Sequence, residues 1–117
     1  RIRWRQLPEH PGPARYRAAA AAVGTRVVIV GGGHLPHDRN GVGAGGRPVS
    51  PVGGALVYDV VAGSWSRPAG PRIASMDHRA LVRAGGWLVL AGGMEEGRRV
   101  TARVWRIPVL DLLAGGD

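Results

Sequence analysis

The feature that most constrains the fold is an internal repeat. Trp4 and Trp65 lie 61 positions apart, and the same offset relates Gly24 to Gly85 and Gly31-Gly32 to Gly92-Gly93. At that offset the apolar run Val27-Val28-Ile29-Val30 falls on Leu88-Val89-Leu90-Ala91, and Arg17-Ala18-Ala19 falls on His78-Arg79-Ala80. Matches this varied at one spacing imply two copies of one supersecondary unit, each too small to bury its own apolar surface and so stacked on its neighbour. In the later part of each unit, Val57-Tyr58-Asp59-Val60-Val61-Ala62-Gly63-Ser64 resembles Val109-Leu110-Asp111-Leu112-Leu113-Ala114-Gly115-Gly116 at an offset of 52. The drop from 61 to 52 assigns 9 extra residues to the first unit. The Gly- and Pro-rich stretch Gly33 to Gly54 holds them and reads as a long loop.

Each unit divides into strands. In the first, Tyr16 to Val23 is a small-residue strand, Gly24-Thr25 a turn, and Arg26 to Val30 a continuous apolar run of the kind buried on both faces. Ala55 to Val60 is the third strand, Ala62-Gly63 the next turn, and Ser64 to Arg67 the start of the fourth. The second unit follows the same order with Arg79 to Arg83, Gly85-Gly86, Trp87 to Ala91, Gly92-Gly93 and Thr101 to Leu112. It reaches Asp117 where its fourth strand is expected, and Ile2-Arg3-Trp4 reads as the fourth strand of a preceding unit. With 20 Gly, 9 Pro and 44 % apolar residues, the composition fits short strands joined by glycine turns, an all-β fold of four-stranded antiparallel sheets. The divisions are 1–14 (end of a preceding unit and linker), 15–70 (a unit with the long 33–54 loop) and 71–117 (a final, truncated unit).

A Gly-Gly pair after an apolar strand, then Tyr-Asp, then Trp about six residues on, resembles the kelch motif of the kelch and galactose oxidase-like superfamily. The first copy is Gly31-Gly32, Tyr58-Asp59 and Trp65; the second is Gly92-Gly93 and Leu110-Asp111, with Asp117 where Trp is expected. The resemblance covers nearly the whole chain. It implies kelch-type β-propeller blades, here an incomplete propeller made of the C-terminal blades. The remaining blades are expected N-terminal to Arg1 in the same chain, and the opening on Arg rather than Met fits an excised segment. Trp4 and Trp65 are expected to fill the space between blades.

Net charge is +8, and all 16 basic residues are Arg, spread along the chain rather than gathered in a stripe. That spread fits the codon usage of a GC-rich, bacterial-type genome, so nucleic acid is not the expected partner. The absence of Cys excludes disulfides and thiolate metal sites from this segment and leaves the compartment open. No apolar run approaches the roughly 20 residues of a membrane helix.

Three polar clusters are candidate sites. His34-Leu35-Pro36-His37-Asp38-Arg39 is the densest; two His and an Asp could ligate zinc, but the spacing alone is weak and Pro36 excludes the helix that would align the rings. No metal or cofactor is assigned. Asp77-His78-Arg79 invites a general-base reading, but no nucleophile stands in matching context, Ser75 being merely nearby, so no catalytic residue is assigned. Glu95-Glu96-Gly97-Arg98-Arg99 reads as a charged hairpin tip. The run Gly41 to Gly46 lacks the strand, helix and Lys of a phosphate loop.

The kelch resemblance places the loops 34–39, 67–77 and 95–99 on one face. It implies an interaction module that binds a protein or other ligand through His34, His37, Asp38, Arg39, Arg72, Asp77, His78, Glu95, Glu96 and Arg98. The alternative is a fragment of a propeller enzyme, copper-radical oxidase-like or carbohydrate-active, with its catalytic residues largely outside this segment. A copper-radical site needs a Cys–Tyr cross-link; this segment has no Cys, and Tyr16 and Tyr58 fall in strands.

Overall fold

The computed structural model describes residues 1–69 and 72–113. Gly115, Gly116 and Asp117, where the second unit's last turn and Trp were expected, lie outside them. The chain is β-rich, with antiparallel sheets and one short α-helix, and no sheet closes on itself among the described residues. No helix there is long and apolar enough to cross a membrane.

The first unit is a four-stranded meander of β1 (Ala19–Val23), β2 (Arg26–Val30), β3 (Ala55–Asp59) and β4 (Ser64–Ser66) in sequence order. The second has β5 (Val82–Ala84), β6 (Trp87–Ala91) and β9 (Val104–Pro108) in one sheet, with β7 (Met94–Glu95) and β8 (Arg99–Val100) forming a hairpin between β6 and β9. A five-residue helix, α1 (Val109–Leu113), follows.

The repeat is written in backbone angles. Gly24 and Gly85 have φ of 59° and 58°, Gly31 and Gly92 70° and 69°, Gly32 and Gly93 101° and 94°. At Gly24 and Gly85 the positive φ opens a two-residue hairpin turn, where Gly in the first position matches the twist of the strands.

Register corrects the later alignment. Asp59 lies opposite Arg26, and Pro108 lies opposite Trp87, so Tyr58-Asp59 corresponds to Ile107-Pro108 and not to Leu110-Asp111. The Asp59 carboxylate accepts hydrogen bonds from Val61 N and Ala62 N, both 2.9 Å, and shapes the β3–β4 turn. Pro108 has no such group, so the chain leaves the strand there and turns into α1, burying Val109 and Leu112. The expected strand Thr101 to Leu112 therefore ends at Pro108. Between β2 and β3 lie residues 31–54, and between β6 and β9 residues 92–103, a difference of 12 rather than 9.

Tyr16 makes only an isolated bridge to Gly33, because Arg17 at φ 53° breaks the strand before Ala19. Ile2-Arg3-Trp4 forms no strand, and Trp4 is 91 % exposed. Trp65, by contrast, lies tilted against Tyr58 with ring centroids 4.9 Å apart and meets His10 edge-on, while its Nε1 donates to Pro8 O at 2.8 Å.

One core joins the two sheets. Ala19, Val23, Val28, Val30 and Val57 pack against Leu81, Leu88, Leu90, Ile107 and Leu112. The two sheets use opposite faces for this. Val28 and Val30 correspond to Val89 and Ala91 on the open side of the second sheet, and Leu88 and Leu90 correspond to Val27 and Ile29 on the other side of the first. The stacking is head-to-tail.

A Cβ on Gly93 would strike the His78 ring and Met76 O, whereas one on Gly24 would meet nothing. Gly93→Ala is expected to cost about 2–3 kcal/mol, from strain and collision together, and Gly24→Ala about 1 kcal/mol from backbone strain alone. Urea midpoints of the two variants check this; equal losses would contradict it.

Candidate functional site

The segment Ser75–His78 threads between the two Gly-Gly bends. Gly32 N donates to Ser75 O at 2.9 Å, Met76 and Met94 exchange backbone bonds of 2.8 and 2.9 Å, and His78 N donates to Arg17 O at 3.0 Å. The bends can be this close only because neither carries a side chain.

His78 is 7 % exposed and Ser75 2 %. Their side chains meet, Ser75 Oγ lying 2.8 Å from His78 Nε2. The sequence placed Ser75 merely near His78; their spacing of three, which a turn or a helix can close but an extended strand cannot, is the signal for the contact. Both are sealed from solvent, so the arrangement works as an internal pin. Asp77 next to them points elsewhere: its carboxylate pairs with Arg17 at 3.0 Å, both residues holding positive φ. Burial lowers the His78 pKa below its ordinary 6.5, against the opposing pull of Asp77.

The long loop 33–54 and the β7–β8 hairpin dock on each other at the same end of the sheets. Val49, Met76 and Met94 form a small second core beneath them. Above it Ser50 Oγ donates to Glu96 Oε1 at 2.9 Å, and Arg98 Nε donates to Asn40 O at 2.9 Å. Glu95 holds Arg99 at 3.1 Å and Arg103 at 3.4 Å.

The structure thus divides the sequence-derived candidates. His34, Asp38, Arg39, Glu96 and Arg98 lie exposed on this loop rim, with Glu95 half-shielded beside them. His34 Nδ1 sits 3.2 Å from Ser50 N. Asp38 Oδ1 accepts from Asn40 N at 2.8 Å and Val42 N at 3.1 Å; these bonds hold its carboxyl below the usual carboxylate range. His37 is buried, its ring edge-on to Tyr16 at 5.3 Å and its Nδ1 against Asp38 O at 2.8 Å. His34 and His37 therefore serve different partners, and among the described residues no group of three His, Asp or Glu side chains is placed to hold a metal. Asp77 and His78 belong to the seam, and Arg72 belongs to a cleft on the other side of it.

The cleft encloses about 450 Å³ between the sheets, the segment 11–13 and residues 67–69 and 72–73. Arg15, which sequence reasoning missed, projects into this region and donates to Gly54 O at 2.8 Å and Gly31 O at 3.2 Å. Compared with known proteins, the chain matches no family model and no curated protein.

The lowered His78 pKa fixes a pH dependence. The fold holds the neutral ring, so its contribution is whole above pH 6.5 and is lost as pH falls from there through the lowered folded value. Thermal unfolding between about pH 7.5 and 5.5 should show this loss, and His78→Gln should remove that part of the pH dependence. The Asp38 and Asp59 carboxylates, also lowered, act in a separate window below 3.8.

Proposed function

We propose that this chain is part of a kelch-type β-propeller acting as an interaction module, with the loop rim as the surface that meets a protein partner. The observation that carries this reading is the docking of the two long loops through Ser50–Glu96, Arg98–Asn40 and the Val49, Met76 and Met94 cluster. Loops fixed in this way present charged side chains without an ordering cost at binding, and binding residues concentrate on loops held by a rigid scaffold.

The propeller reading rests on the head-to-tail stacking. A contact that joins opposite faces of equivalent sheets leaves each end able to accept another sheet of the same kind, and such contacts close into rings when the rotation from sheet to sheet sums to a full turn. The open face of the second sheet suits that use: Val82, Trp87, Val89, Ala91 and Val104 line it, and Arg106 lies over Trp87 at 4.0 Å.

Two outcomes are expected. With the chain as bait, a protein partner is captured and is lost on combining Arg39→Glu with Glu96→Arg while circular dichroism stays unchanged; capture indifferent to the variant speaks against the rim. In isolation the chain self-associates through its uncovered face, and Val82→Glu with Val104→Glu lessens this. Sedimentation over a range of concentrations reads it, and a wild-type monomer that stays dispersed and unfolds cooperatively contradicts it.

A further inference from the structure

The cleft between the sheets gathers three guanidinium groups, those of Arg15, Arg67 and Arg72. Like charges repel, and in a partly dehydrated site they do so more strongly than in water. The repulsion registers on Arg15, whose pKa is lowered by burial and then by Arg67 and Arg72. Among the described residues none of the three forms an ion pair, although one carboxylate, Asp111, also lines the cleft. Arg15 Nε is shielded from solvent and has no hydrogen-bond partner among the described residues. Its other nitrogens are tied to the carbonyls of Gly31, Gly53 and Gly54, which fixes the group in place.

The rest of the lining is apolar, with Val30, Val52, Leu56, Ile73, Ile107 and Leu112 along it. Its volume of about 450 Å³ falls within the ~300–1,000 Å³ of small-molecule sites. A cationic cluster that among the described residues forms no ion pair, set over an apolar floor, selects a ligand with both properties. Guanidinium groups meet carboxylates through paired N–H donors, which adds direction to the charge attraction.

We propose that this cleft binds an organic carboxylate with an apolar body, its carboxylate held by Arg67 and Arg72 beside Arg15 and its body seated on Leu56, Ile73 and Leu112. The site stands apart from the loop rim and does not depend on a protein partner there.

Titration calorimetry of the whole chain with octanoate, 1-octanol and inorganic phosphate tests it. Octanoate is expected to saturate one site per chain, while octanol and phosphate do not saturate at the same concentrations. Arg67→Ala combined with Arg72→Ala should weaken octanoate by about tenfold or more, since charge-assisted hydrogen bonds are lost. Arg72→Glu, at an exposed position, should do the same alone; thermal unfolding of each variant without ligand verifies that it folds. No octanoate binding, or equal binding by the folded variants, overturns the proposal. So does octanol matching octanoate, which would make the cleft merely apolar, or phosphate matching it, which would make the cleft a bare anion site.

Discussion

The passage of Ser75–His78 between the Gly31-Gly32 and Gly92-Gly93 bends is the contact on which the rest of the structure depends. One strip of backbone is hydrogen-bonded to the first unit through Gly32 and Arg17 and to the second through Met94. Its side chains alternate in what they serve: Ser75 and His78 close the seam, Met76 enters the core under the loops, and Asp77 reaches back to Arg17. The spacing between the units is therefore set by close contact at two glycines, Gly31 against Ser75 O and Gly93 against His78 and Met76 O. An added methyl group at Gly31 or Gly93 meets backbone oxygen, which cannot turn aside as a side chain can. The loops and the cleft, on either side of this strip, inherit their geometry from it.

The head-to-tail stacking explains an asymmetry in burial. Val28, Val30 and Val57 are sealed in the first sheet, while the corresponding Val89, Ala91 and Arg106 of the second lie on its open side. Identical units in a head-to-tail stack cannot both bury the same face unless another follows. Arg106 over Trp87 partly covers the open face with a charged side chain whose stem is apolar.

The sequence was legible where a residue type has one physical use. Paired glycines, turn glycines and apolar runs marked the strands to within a few residues because positive φ and burial leave few alternatives. It was less legible where resemblance replaced register. Leu110-Asp111 looks like Tyr58-Asp59, yet the strand has already ended at Pro108, and Val109 with Leu112 at a spacing of three is a helical rather than a strand pattern. Trp4 and Trp65 are the same residue at the repeat offset, but only Trp65 has a cross-strand Tyr and a carbonyl acceptor to hold it. Candidates expected on one face were divided because adjacent residues such as Asp77 and His78 face a surface pair and a sealed pin. Arg15 carried no local signal at all; its partners come from three distant glycines.

The placing of the acidic residues gives the net charge its local meaning. The chain has 8 acids against 16 arginines. Asp38 and Asp59 spend their oxygens on turn N–H groups, Asp59 also meeting Arg26 at 3.4 Å. Asp77 is taken by Arg17, Glu95 by Arg99 and Arg103, and Glu96 by Ser50. These five carboxylates are gathered where loops must be shaped or tied together, at the rim and at the turns. Where the sheets part, Arg15, Arg67 and Arg72 line the cleft with Asp111 as the one carboxylate among the described lining residues, and it forms no ion pair with them. The cleft therefore sets three guanidinium groups against one carboxylate, whereas the rim sets its acids among the loops that they shape.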